Sequence, residues 1–191
     1  MTNIAIIAKK GGVGKTTVTM LLYEAFRQAG RPVFIHDWDP QGSVTKCLKS
    51  IHQGKIPTMN GKDDNAIMLW DSPPDLTHTA TATAARNANI ALIVTSPAPL
   101  DMWEAQETAN FVQSRNSGAV IRVVINKFKR ATVLGRGIEG NTKLINVPTL
   151  PVMLNQRECY IHASVHGWQA LDNAARQEVL QLGISLLSFQ S

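Results

Sequence analysis

The stretch Ile4-Ala5-Ile6-Ile7-Ala8-Lys9-Lys10-Gly11-Gly12-Val13-Gly14-Lys15-Thr16-Thr17 decides the fold. Its first five residues, Ile4–Ala8, are apolar without polar alternation and read as a buried strand. A glycine-rich loop follows, and Thr16–Ala29 then reads as a helix that stops at Gly30. Strand, glycine loop and helix in that order make a phosphate-binding loop. Gly11, Gly12 and Gly14 let the backbone turn so that successive N–H groups, Val13 included, face phosphate oxygens. The helix start adds the positive end of its dipole beside Thr16 and Thr17. Lys15 can reach the β- and γ-phosphates, and the Thr16 hydroxyl can ligate Mg²⁺. The commonest pattern, G-x-x-x-x-G-K-[ST], would place its first glycine at Lys9, so it does not fit. The form that fits carries a second lysine, Lys10, in front of the glycines.

Further apolar runs lie downstream. Pro32–His36, Ala66–Trp70 (ending at Asp71), Ile90–Thr95, Ile121–Asn126 and Thr149–Met153 read as strands. Trp103–Gln113 and Leu171–Leu187 read as helices, and Asn155-Gln156-Arg157 precedes another. Short apolar strands alternating with helices predict an α/β fold: a three-layer sandwich around a mostly parallel sheet. All 191 residues are expected to form one domain. His52–Asn65 reads as a surface loop, and Lys127–Val147, with Gly135, Gly137 and Gly140, is similarly polar.

No apolar run approaches the ~18–20 residues that cross a bilayer. The first apolar run leads straight into the glycine loop, so it is read as a strand and not as a secretion signal, and the expected compartment is the cytoplasm. The only two cysteines, Cys47 and Cys159, do not make a disulfide scaffold, and no Cys/His cluster has zinc spacing. His162 and His166 stand four apart but lack a third ligand. A net charge of +5 and a pI near 9.4 suit an anionic partner, nucleic acid first, or simply a soluble basic protein.

Two acidic motifs complete the pattern. The second strand is followed by Asp37-Trp38-Asp39-Pro40-Gln41-Gly42-Ser43, and the third ends Trp70-Asp71-Ser72-Pro73-Pro74. Apolar residues ending in an aspartate make Asp71 a candidate to hold Mg²⁺ through water.

With Lys10 ahead of GGVGKTT, D-x-D-P-Q-G, D-S-P-P and Pro97-Ala98-Pro99-Leu100-Asp101, the chain resembles the ParA/MinD family of deviant-Walker ATPases. The likeness runs from Ile4 to about Asp172 and is strongest to the short ParA proteins of plasmid and chromosome partition. That resemblance implies an ATPase that hydrolyses Mg·ATP slowly. In the family the lysine at position 10 crosses to the ATP of a second subunit, where a further cation can neutralise charge on the transferring phosphoryl group. Lys9 departs from the pattern, because the family usually has an uncharged residue there. The resemblance gives Asp39 the attacking water and Asp37 the Mg²⁺ shell. It leaves Asn126 between contact with adenine and a turn cap. Asp101 sits where a helix N-cap is expected. Family members bind DNA non-specifically as ATP dimers through basic residues. Here the candidates are Lys127, Lys129, Arg130 and Arg157, the last in a Q-R-x-x-Y-x-x-A pattern with Tyr160 and Ala163.

The implied whole is an ATP-sandwich homodimer, nucleoid-associated, that positions plasmid or chromosomal cargo with a ParB-like partner. The alternative is a relative that positions a protein cargo or serves a conjugation or secretion system. A metabolic ligase would need a substrate pocket as well. No membrane partner is expected: the tail from Ala174 to Phe189 carries only Arg176 as a cation, so it reads as a core helix.

Overall fold

Parallel strands buried on both faces must alternate their side chains between two cores, and the central strand here does so. The computed structural model describes residues 1–58 and 63–189. Six parallel strands lie in the order β2-β3-β1-β4-β5-β6. They are β1 (Thr2–Ile7), β2 (Val33–Asp37), β3 (Ile67–Asp71), β4 (Ile90–Thr95), β5 (Val120–Phe128) and β6 (Thr149–Asn155). Ile4 and Ile6 of β1 face one core, and Ala5 and Ile7 face the other.

The first core is covered by α1 (Lys15–Gln28), α2 (Ser43–Ile51), α7 (Glu158–His166) and α8 (Asn173–Leu187). The second is covered by α3 (Thr79–Asn87), α4 (Pro99–Arg115) and the short α6 (Ile138–Thr142), which follows the one-turn α5 (Val133–Arg136). The result is the three-layer α/β sandwich that the alternation predicts. α1 leaves β1 for one face and α4 leaves β4 for the other, so a crevice opens at the carboxyl ends of these neighbouring strands. Open α/β sheets bind ligands in such a crevice.

Every strand read from the sequence is present, with ends shifted by a residue or two. Helices α2 and α3 go beyond that reading. α2 starts inside the D-x-D-P-Q-G-S turn, with only Val44 and Leu48 buried. α3 is TATATAARN, whose alternating β-branched threonines hide the helical period. The Lys127–Val147 stretch is not one loop. It holds the end of β5 together with α5 and α6, and Thr132 caps α5 by accepting from Gly135 N. Residues 59–62 of the loop read over His52–Asn65 lie outside the described residues.

The closing helix is a core helix. Val179, Leu182 and Leu186 are fully buried, and Gly183 lets α8 approach Ala25 and Phe26 of α1. Asp172 caps it, accepting from Ala175 N at 2.7 Å. Among the described residues no helix is long and apolar enough to cross a membrane. Leu182→Ala is expected to destabilise the protein by about 2–5 kcal/mol, the range for emptying a packed core site. Urea unfolding followed by circular dichroism checks this; a loss under about 1 kcal/mol would mean that α8 is not packed as described.

Candidate nucleotide site

The glycine loop is shaped to present N–H groups. Gly12 and Gly14 adopt the left-handed conformation, with φ of 80° and 96°. Gly14 is the N-cap of α1 and supplies no side-chain cap, so the first-turn N–H groups of a 14-residue helix face outward unclaimed by any cap side chain. That arrangement suits an anion. A Cβ on Gly14 would lie 2.3 Å from Asn126 Nδ2, so the position admits glycine alone.

The loop is gripped from the end of β5. Asn126, 4% exposed, donates from Nδ2 to the Val13 carbonyl at 2.9 Å. Lys127 donates from Nζ to the Gly12 carbonyl at 2.6 Å. Lys127 itself is left-handed, with φ of 57°, a conformation that costs a non-glycine residue roughly 1–2 kcal/mol. Asn126 is thus adjacent to the glycine loop, a placement that neither of its expected roles, adenine contact or turn cap, had specified. Its amide is engaged with backbone, and Lys127 reaches the loop too.

Behind the loop lies a cluster of buried charge. Lys15 is 7% exposed; burial lowers its pKa, while Asp71 and Asp39 pull it back up. Asp71 is 1% exposed, and burial, with a smaller contribution from Asp37, pushes its pKa up to about 6. Thr16 Oγ1 lies 3.4 Å from Asp71 Oδ2, and Thr19 Oγ1 lies 2.7 Å from Asp71 Oδ1. Thr19 was not among the residues read from sequence. Its signal was available, since it stands one helical turn beyond Thr16 and on the same face.

The carboxylates converge through strand register. β2 pairs with β3 so that Asp37 sits opposite Asp71. Asp37 Oδ2 accepts from Thr45 N at 2.7 Å, whereas Oδ1 is buried with no hydrogen-bond partner. A buried orphan carboxylate oxygen beside a second carboxylate and a threonine hydroxyl fits Mg²⁺. That ion takes one or two carboxylates and completes its shell with water and phosphate. No group of three or more His, Cys, Asp or Glu placed to hold a metal occurs among the described residues.

Asp39 begins a turn: its Oδ1 accepts from Gln41 N at 2.9 Å and its carbonyl accepts from Gly42 N at 2.8 Å. Trp38, between the two aspartates, packs edge-on against Trp70 at 5.1 Å, and His36 stacks on Trp70 at 4.8 Å. The turn bearing Asp39 is therefore tied to the strand bearing Asp71.

The lysines ahead of the glycines point to α4. Lys10 Nζ is 2.5 Å from Asp101 Oδ1, and Lys9 Nζ is 2.6 Å from Glu107 Oε2. Asp101 is not the N-cap of α4. Ala98 holds that position, and Asp101 sits in the first turn, where its other oxygen accepts from Ser96 Oγ at 2.5 Å. Pro99 at the helix start displaces the cap by three residues from the sequence expectation.

The basic candidates are spread. Pairing of Phe128 with Asn155 brings Lys129, Arg130 and Arg157 to one end of the β5–β6 edge. Lys129 and Arg130 are exposed. Arg157 turns inward, its Nη2 2.5 Å from Glu178 Oε1 and its Nη1 3.8 Å from Asp172. Glu178 also accepts from Tyr160 Oη at 2.6 Å and from Asn155 Nδ2 at 2.8 Å. These bonds hold its carboxyl below the usual range against the opposing effect of burial. The Q-R-x-x-Y pattern thus carries an internal hydrogen-bond network, and Glu178, twenty-one residues on, had no local signal.

A family model described as the CobQ/CobB/MinD/ParA nucleotide binding domain matches residues 4–167. The chain belongs to that family. Among its relatives is "Maintenance of carboxysome distribution protein A" of Halothiobacillus neapolitanus. It is 25% identical over 191 aligned residues, which cover 91% of this chain and 88% of that one. Two solved members share the fold. A putative plasmid partition protein from Borrelia burgdorferi bound to AMPPNP has a TM-score of 0.73 at 15% identity, with 98% of each chain covered. Cobyrinic acid a,c-diamide synthase from Mycobacterium smegmatis, with bound ADP and magnesium, has a TM-score of 0.76 at 16% identity, covering 100% and 96%.

The buried Asp71 sets a pH dependence. Its folded pKa of about 6 lies above the ordinary 3.8, so the folded state binds the extra proton. Stability from this group is full below about pH 4 and is lost as pH rises through about 6. In chelator-treated protein free of nucleotide, Asp71→Asn is expected to raise stability by on the order of 1–3 kcal/mol at pH 8 and to leave it unchanged at pH 4. Thermal melts at the two pH values check it, and equal effects at both would contradict the buried-charge account.

Proposed function

We propose that this chain is a Mg·ATP-hydrolysing positioning ATPase that dimerises face to face around its nucleotide. The observation that carries the reading is the pair of lysines bracketing GGVG. One is buried where the charges of Asp71 and Asp39 act on it, and the other stands outside the site on an exposed stem. Lys15 and the loop N–H groups would hold the β- and γ-phosphates. Thr16, Asp71 and the orphan oxygen of Asp37 would hold Mg²⁺. Bound Mg·ATP supplies the phosphoryl group and the divalent charge that neutralises it. Asp39 would orient the attacking water, a task of placement. Lys10 is long enough to leave Asp101 and reach a second subunit's phosphate, which explains a cation too exposed to serve its own site.

A protein assembly is the cargo that the relative from Halothiobacillus neapolitanus favours, because that likeness covers nine-tenths of this chain. The second reading is DNA partition with a ParB-like partner, supported by the net charge of +5 and by exposed Lys129 and Arg130. Both readings use non-specific DNA as the surface on which the dimer sits, and Arg157 would have to exchange Glu178 for a phosphate to take part.

Light scattering with and without ATP tests the dimer. Wild type is expected to double its mass on adding ATP and Mg²⁺, and Lys10→Ala to stay monomeric; a wild type that never dimerises would sink the proposal. Asp39→Ala should keep the ATP dimer while losing phosphate release by about tenfold or more. If turnover is unchanged, Asp39 does not position the water.

A further inference from the structure

Lys9 is the residue that departs from the family pattern, and its surroundings give it a task. The loop's two leading lysines face three carboxylates on α4. Asp101, Glu104 and Glu107 recur every third residue and so lie along one stripe of the helix. Lys10 takes Asp101 and Lys9 takes Glu107, at the two ends of the stripe. Glu104 lies between them. Its Oε2 is buried with no hydrogen-bond partner, and its charge acts on both lysines. Lys9, Lys10, Asp101 and Glu104 line one small cavity with Ala105 and Thr108. The stripe therefore carries one carboxylate more than the loop has lysines.

Removing Lys10 from this arrangement would be costly. Asp101 is 8% exposed, and without Lys10 its remaining partner would be the Ser96 hydroxyl. A buried carboxylate stripped of its counter-ion opposes the change that strips it. Lys9 is adjacent, exposed and flexible, with unpartnered Glu104 lying between its present position and Asp101.

We propose that Lys9 is a positioning residue that moves onto Glu104 and Asp101 when Lys10 crosses to the second subunit. This rests on the reading above that Lys10 crosses. Lys9 keeps the stripe neutralised and so lowers the cost of releasing Lys10. Glu107 restrains it, holding Lys9 at the outer end of the stripe.

The two members of the Lys9–Glu107 ion pair then have opposite effects on dimerisation. Dimer dissociation constants are measured by light scattering over a protein concentration series, with Mg²⁺ and AMPPNP to prevent turnover. Lys9→Gln is expected to weaken the dimer by about fivefold or more, and Glu107→Gln to tighten it by about two- to fivefold, the range of partly exposed ion pairs. Lys9→Arg should behave as wild type. In an Asp101→Asn background, Lys9→Gln should have no further effect, because releasing Lys10 then strips no buried carboxylate of its counter-ion. If Lys9→Gln and Glu107→Gln shift the dimer in the same direction, the pair is an ordinary structural or interfacial contact and the proposal fails. It fails also if Asp101→Asn does not suppress the Lys9→Gln effect. Absence of any nucleotide-dependent dimer in wild type overturns the function proposed above, and the role of Lys9 with it.

Discussion

A buried ammonium within the electrostatic reach of a buried carboxylate, Lys15 and Asp71, is the constraint to which the rest of the site answers. Neither charge is comfortable at 7% and 1% exposure. Burial pushes the lysine toward its neutral form and the aspartate toward its protonated one. Both would be relieved by the same ligand, a phosphate chain carrying a divalent cation. The sheet exists in part to hold this unstable arrangement. β1 delivers Lys15 through the glycine loop, β3 delivers Asp71, and the in-register β2 sets Asp37 opposite it. Thr19 steadies the carboxylate from within α1. Strain of this kind is characteristic of sites that wait for a charged ligand.

Around that centre the chain divides its cations by exposure. Lys15 is inside and committed. Lys10 and Lys9 are outside and paired with carboxylates of α4. Lys127 is bound to the loop's own backbone, and Arg157 to Glu178. Sequence gives all five as basic residues in suggestive motifs; burial and partner decide which can act on another molecule. Under the function proposed above, the cations paired with α4 belong to association with a second subunit, and the exposed Lys129 and Arg130 to an anionic surface.

The legible parts were those in which one local run carries its own meaning. The strand–loop–helix at Ile4–Ala29 and the aspartates closing β2 and β3 are of this kind, because period, turn chemistry and strand ends are short-range properties. What was not legible depends on pairs far apart in the chain. Lys10 with Asp101 and Arg157 with Glu178 are separated by 91 and 21 residues, and only packing brings them together. The N-cap expected at Asp101 failed because Pro99 starts the helix earlier. α3 escaped because threonines at alternate positions imitate a strand, while its buried residues, Ala80, Thr81, Ala84 and Ala85, are too small or too polar to announce a period.

The tether of Asn126 and Lys127 to the Val13 and Gly12 carbonyls has a thermodynamic side. A free glycine loop explores many shapes and would have to be ordered by each incoming nucleotide. Here that ordering entropy is met during folding, by two side chains from β5, the fourth strand after β1 in sequence order. The binding surface is a finished mould, so ligand affinity is not spent on shaping it. On the function proposed above, the nucleotide's interaction energy is then left over for drawing Lys9 and Lys10 off the carboxylates of α4.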